Sequence, residues 1–281
     1  MPTVLLASLA SIVFRTEGQQ YLKAHGVVLD YASCVLLSLI LFIFLVERIW
    51  PANPASNGHL FSVEPGGLRR DLVFLFFIAQ LSALLIVFAS KWMAPLITGQ
   101  GLWPTSAPFA LKVALAFFAI EFFSYWFHRA AHRIPLLWQF HSTHHVITQL
   151  NGLKALRTHP VDNVLFYLVR TAPLMLVGAG LDEVITATTF GAILGVLSHA
   201  NVNVSERGLG LLVNLPGYHA VHHSVELAES NSNFGCHTII WDRVFGTFRK
   251  TLEVPPTIGV HPVGTRSIWQ ELIAPFYKKV S

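Results

Sequence analysis

The run FALKVALAFFAIEFFSYWF, residues 109–127, passes directly into HRAAHRIPLLWQFHSTHH, residues 128–145. The first stretch is long and apolar enough to cross a bilayer, which takes about 20 residues. The second places five histidines in eighteen positions. Imidazoles gathered at the mouth of a membrane-length helix are surface polarity, a structural metal site or a reaction centre. The rest of the chain discriminates among the three.

The apolar character recurs on both sides of this stretch. The 281 residues are 53% hydrophobic and 12% charged, with a mean hydropathy of +0.54. A soluble domain carries about a quarter charged residues, so the composition indicates a polytopic membrane protein. Runs 29–46 and 72–90 also reach spanning length, and runs 162–178 and 184–200 are joined by AGLDE as a helical hairpin. Arg170 sits near the middle of the first arm. It is costly against lipid, so it faces protein, a polar cavity or the interface, or the arm stops short of a full crossing. Residues 51–67 (PANPASNGHLFSVEPGG) and 91–108 (KWMAPLITGQGLWPTSAP) read as connections, the second offering Trp92 and Trp103 to the interface. The N-terminal MPTVLLASLASIVF lacks the basic start of a signal peptide and reads as an interfacial or partly buried helix. The expected fold is all-α, a polytopic membrane bundle of about four to five hydrophobic helices.

The net charge of +4 comes from 19 scattered Lys and Arg without a basic stripe, which gives no nucleic-acid signal. Of the two cysteines, Cys34 lies in an apolar run and Cys236 in the polar C-terminal third. No disulfide is expected, and a reducing-side location is permitted.

Counting crossings sets an orientation. If segments two and three both span, Arg48, Arg69 and Arg70 share a side with Arg129, Arg133, Lys154 and Arg157. The positive-inside rule makes that side cytoplasmic. The hairpin returns the chain to it, so His128, His132, His141, His144, His145, His159, His199, His219, His222 and His223 gather near one membrane face. These are ten of the fourteen histidines, and they form a helical cap on the bundle.

Helical spacing aims these side chains. Positions i, i+3 and i+4 share a face, so HRAAH directs His128 and His132 the same way. HSTHH brings His141, His144 and His145 onto one turn, and GYHAVHHS repeats this with His219, His222 and His223. Eight imidazoles are too many for one ion and match two ions with about four each. Imidazole suits Zn, Cu, Fe and Ni. No HExxH occurs, which argues against a zinc-protease arrangement.

The order HxxxH, HxxHH and a distant HxxHH resembles the fatty acid hydroxylase and sterol desaturase superfamily of integral membrane di-iron enzymes. EFFSYWFHRAAH is similar to that family's approach to its first box and LRTHPVD to its stretch after the second. SHAN around His199, NFG at 233–235 and WDRVFGT at 241–247 are similar to its later landmarks. The likeness covers about residues 115–250 and divides the chain into N-terminal membrane-embedded helices (1–110), a histidine-box catalytic domain (111–250) and a C-terminal cytoplasmic tail (251–281).

The resemblance implies two non-haem Fe ions, O2 as co-substrate, and hydroxylation or desaturation of a C–H bond in a sterol, sphingoid, fatty acyl or related lipid. Carried over by position, the metal ligands are His128, His132, His141, His144, His145, His219, His222 and His223, with His199 as a ninth. His159, beside Pro160, is a tenth ligand, a partner of one, or a cap on the following helix. Glu121 lies seven residues before His128, with Tyr125 between them. An acid within a span needs a partner, and the expectation is a ligand histidine; the alternative is Arg170. Asp162 and Asp242 are weaker candidates for the same role. GAILG (191–195) is a small-xxx-small pattern, read as close helix packing or a passage for a lipid chain.

No GxGxxG fingerprint is present, so no bound nucleotide is expected. Electrons then come from a separate cytochrome b5-like or ferredoxin carrier with its reductase. Two other classes remain: a membrane metal-binding or transport protein, and an inactive lipid-binding homologue. Transporters place ionisable groups near the midplane, whereas these clusters fall at span ends. The terminal KKVS is a basic patch or a dilysine retrieval signal, leaving bacterial inner membrane and ER membrane both open.

Overall fold

The computed structural model describes residues 15–24, 31–54, 67–93, 101–205, 207–250, 257–260 and 267–277. The helix expected within residues 1–14 and the terminal KKVS lie outside them. In chain order the helices are α1 (Arg15–Ala24), α2 (Tyr31–Ile49), α3 (Gly67–Val73), α4 (Ala79–Met93), α5 (Phe109–Ala131), α6 (Pro135–His145), α7 (Pro160–Leu176), α8 (Leu181–His199), α9 (Pro216–His222), α10 (Leu227–Ser230), α11 (Ile240–Val244) and α12 (Ile268–Tyr277). A π-turn at Phe74–Ile78 joins α3 to α4, and 3-10 turns lie at Gly152–Leu156 and Leu209–Leu211. Among the described residues, extended pairing amounts to two isolated bridges, Val213–Thr238 and Ser224–Ile258.

Proline sets three helix starts around the histidines. Pro135, Pro160 and Pro216 each occupy the first turn of their helix, where a missing N–H costs nothing and the fixed φ suits the helix. The long helices form the bundle. α5 packs against α7 and α8, α4 against α7, and α2 against α8. One core joins Val113, Ala116, Phe117, Ile120, Leu174, Val184, Ala187 and Leu194; a second joins Leu39, Ile40, Ile43, Leu153, Ile193, Val196 and Leu197.

Three helical stretches are long and apolar enough to cross a membrane: Gly67–Trp92, Phe109–Ala131 and Leu181–His199. α8 is apolar all round and central. The Gly67–Trp92 stretch instead turns Phe77, Leu84, Phe88 and Trp92 outward, a face suited to lipid and not to water. This is an integral membrane protein. α7, the first arm of the hairpin, has 17 residues with Pro173 inside it, at the short limit for a crossing. Trp92 is exposed, but Trp103 is only 9% exposed and belongs to the core, so the second interfacial anchor is a core residue instead. It belongs to the same buried core as Phe117 and Val184, which removes it from the bilayer surface.

Polar contacts fasten the N- and C-terminal segments to the cap. Glu47 Oε1 accepts from Gly152 N (2.8 Å) and Asn201 N (2.7 Å), so the end of α2 holds two loops flanking the histidine region. Lys154 Nζ bonds Asp71 Oδ1 at 2.9 Å. Glu271 of α12 accepts from Arg157 (2.7 Å) and Arg70 (3.0 Å). Within the segment read as a tail, residues 268–277 are thus a helix docked on the cap.

Candidate metal centre

Nine histidines converge in two touching groups. His128, His132, His141, His145 and His222 form one; His144, His199, His219 and His223 form the other. Within each group the candidate ligand atoms lie within 4.8 Å of one another. Four elements supply them: the end of α5, the last turn of α6, the end of α8, and α9 with the residue after it. The paired histidines separate. His145 and His222 go to the first group, while their chain neighbours His144 and His223 go to the second. The groups meet where the His145 and His223 rings stand 4.4 Å apart.

Hydrogen bonds fix the tautomers of five rings. His128 Nδ1 donates to Phe234 O (2.6 Å), His144 Nδ1 to Arg157 O (3.3 Å), His199 Nδ1 to Gly195 O (2.8 Å) and His222 Nδ1 to Ser232 O (2.9 Å). A carbonyl oxygen only accepts, so each proton is on Nδ1 and each Nε2 keeps its lone pair. His141 Nδ1 does the same with Asp162 Oδ2 at 3.0 Å. Three of the resulting lone pairs have no partner in the protein. Nε2 of His128, His141 and His222 is buried without a hydrogen-bond partner. His144 Nε2 and His199 Nε2 face each other at 3.2 Å with no proton between them. Unpaired lone pairs converging in a buried space are unfavourable unless a cation sits among them. The site fits a metal on this ground, and its all-imidazole donor set suits Fe, Zn, Cu or Ni.

Burial reinforces the neutral state. Desolvation, followed by the charges of neighbouring histidines, holds His132, His144, His145, His219 and His223 well below the ordinary imidazole value. Burial pulls His222 down to about 3. Neutral imidazole is the ligating form.

The other expected residues fall around this centre. Asp162 is the carboxylate that orients a clustered histidine, through His141. Glu121 is buried and accepts from His237 Nδ1, from Thr238 N at 2.8 Å and from Thr238 Oγ1 at 3.0 Å. Its histidine partner is therefore His237, which belongs to neither group. Tyr125 is buried with its hydroxyl on Thr247 Oγ1 (2.9 Å) and Arg129 (3.0 Å), turned away from the clusters. His159 caps α7: its Nδ1 accepts from Val161 N at 3.1 Å and its Nε2 bonds Leu272 O at 3.0 Å, so both nitrogens are used.

Asp242 accepts from Phe234 N, Gly235 N and Thr247 Oγ1, holding the loop whose carbonyl orients His128. That loop leaves no room for a side chain at Gly235, where a Cβ would run into Thr238 O. Gly191 and Gly195 face the His237 ring, so the small-residue stripe accommodates an imidazole. Sequence reasoning missed His237, a lone histidine outside any spaced motif, and the carbonyls of Phe234, Arg157, Gly195 and Ser232, which carry no side-chain signal.

The profile of the fatty acid hydroxylase family matches residues 113–247. Ornithine lipid hydroxylase OlsE of Rhizobium tropici is 29% identical over 99% of this chain and 83% of that protein. Human alkylglycerol monooxygenase is 26% identical over 83% of this chain and 51% of its own length. The Delta(7)-sterol-C5(6)-desaturase of Nicotiana tabacum is 32% identical over 52% of each. The chain thus spans about half the length of the latter two. No solved structure matches the chain significantly.

Proposed function

We propose, from the premise that this chain belongs to the fatty acid hydroxylase and sterol desaturase superfamily, that it is a membrane-bound, O2-dependent lipid oxidoreductase with a non-haem di-iron centre. The observation that carries this reading is the pair of buried imidazole groups with Nε2 lone pairs fixed inward. His128, His132, His141, His145 and His222 would hold one iron; His144, His199, His219 and His223 would hold the other. When bound, the irons supply the redox chemistry that activates O2 and removes hydrogen from an unactivated lipid C–H bond.

The protein's own groups do the rest. Phe234 O, Arg157 O, Gly195 O, Ser232 O and Asp162 keep five rings in the ligating tautomer. Glu121, Tyr125 and His159 serve one step further out, shaping the segment between α10 and α11, the α5–α11 contact and the start of α7. Substrate enters from the bilayer, which fits a centre at the end of the spans. Residues 111–250 form the catalytic unit, residues 1–110 the membrane-embedded helices that brace it, and 251–281 the C-terminal segment. Arg48, Arg70 and Arg129 lie at the histidine end of their helices and Arg133 in the turn after α5, which supports a cytoplasmic face in a bacterial inner membrane or ER membrane. Electrons come from a cytochrome b5-like or ferredoxin carrier.

The test is direct. Purified protein is expected to hold about two irons per chain and to consume O2 only with both reductant and lipid. Tight zinc with no reductant-dependent O2 uptake in any lipid extract would overturn the reading.

A further inference from the structure

α5 and α7 pack antiparallel, and their register is fixed beside the first histidine group. Phe166 of α7 stands 5.8 Å from the His128 ring and 4.5 Å from Phe127, both on α5. One turn deeper into the bundle, about 5.4 Å, lies four residues back on α5 and four residues on along α7. Those positions are Ser124 and Arg170. Both carry donors without partners: Ser124 is fully buried with an unbonded Oγ, and Arg170 Nε is enclosed and unbonded.

Arg170 has no ion pair among the described residues. It interacts electrostatically with Glu121 and Cys236. Glu121, however, spends its oxygens on His237 and Thr238, and Cys236 is a thiol. Its Sγ is 3.8 Å from His128 Nδ1, which places this neighbourhood directly beneath the first histidine group. A helical side chain leans toward the N-terminus of its helix. For α7 that direction is toward the histidines. A permanent cation is thus held beneath a site built for cations, with no acid bonded to it. Arg170 is only partly buried, so it remains reachable from outside the bundle.

We propose that Arg170 and Ser124 bind an oxyanion on the lipid substrate, a carboxylate or phosphate, one helical turn beneath the metal centre. Arginine presents only donors plus a positive charge and the serine hydroxyl can add one more donor, so an oxygen-rich anion complements both. The substrate class is then an anionic amphiphile, oxidised near its polar end and not at the chain tip. This inference rests on the reading of the protein as a lipid-oxidising enzyme.

The experiment measures binding of dodecyl phosphate, laurate, 1-dodecanol and inorganic phosphate to the detergent-solubilised full chain by tryptophan fluorescence. Iron content and lipid-dependent O2 uptake are recorded on the same samples. The expected result is at least tenfold weaker binding of both anionic amphiphiles to Arg170→Gln, an intermediate loss in Arg170→Lys, and unchanged binding of 1-dodecanol. Should Arg170→Gln fail to fold, Ser124→Ala is the second variant, with a loss of severalfold confined to the anionic probes. Unchanged binding of dodecyl phosphate and laurate in these variants overturns the proposal. Inorganic phosphate binding as tightly as dodecyl phosphate also overturns it, in favour of a free-anion site. Absent iron or absent O2 uptake in the unaltered protein fails the functional reading instead, and the binding data separate the two.

Discussion

The carboxylate of Glu121 accepts a hydrogen bond from His237 Nδ1 across 116 residues of chain, locking the segment between α10 and α11 onto the middle of α5. It also receives Thr238 N and Thr238 Oγ1. Glu121→Ala strands these buried donors, at about 1–3 kcal/mol for each unsatisfied group. Thermal unfolding in detergent is expected to show a large drop for Glu121→Ala and a smaller one for Glu121→Gln. An unchanged midpoint in both would show that this contact does not fasten the segment.

His144 and His145 are neighbours in sequence but members of different groups. Each single alanine substitution should therefore empty a different site. Bound iron is expected to fall from about two per chain toward one in either variant, with a distinct spectroscopic signal lost in each and lipid oxidation abolished in both. Identical residual spectra from the two variants would contradict the division into two groups.

Acid should destabilise the metal-free protein. The clustered histidines outside the spans have folded values below the ordinary 6.5, with His222 at about 3. Their folded values are depressed, so the unfolded chain binds more protons in acid, and stability falls as pH drops. The loss begins near 6.5 and continues toward 3. The unfolding midpoint of chelator-treated protein is expected to decline steadily as pH falls from about 6.5 to 5. A flat profile across that interval would mean the rings are not held neutral.

Glu271 gathers Arg157 and Arg70 in a buried contact that docks α12 on the cap. Removing one partner of such a pair costs about 3–5 kcal/mol. Glu271→Ala should lower stability by that order, and His144 should lose order too, because its Nδ1 bonds the carbonyl of Arg157. Iron retention after dialysis is the second readout. Full retention with normal stability would separate α12 from the centre.

Much of this arrangement was legible in the chain. Helical spacing aimed the three histidine boxes, and span counting brought them to one face; both rest on local periodicity. The cap was one of three roles that His-Pro left open for His159, and the sequence could not choose among them because both ring nitrogens find partners only in the fold. What escaped was long-range. Nothing in CHT signals that His237 meets Glu121, since the pairing depends on how the 233–238 loop crosses α5. Asp162, rather than Glu121, meets a clustered histidine because α7 starts beside α6, and no spacing rule encodes that proximity. Trp103 looked like an interfacial anchor by residue type, yet packing placed it in the core.

The separation of adjacent histidines into different groups has a mechanical consequence. Neither group contains a carboxylate, and a neutral imidazole has one lone pair, so no residue in either group could bridge two ions. The gap between the two centres is then set by the rise and twist of α6 and α9, in the steps from His144 to His145 and from His222 to His223. Those two short helices act as a fixed-length spacer, and any sideways slip of α6 would detune both centres together.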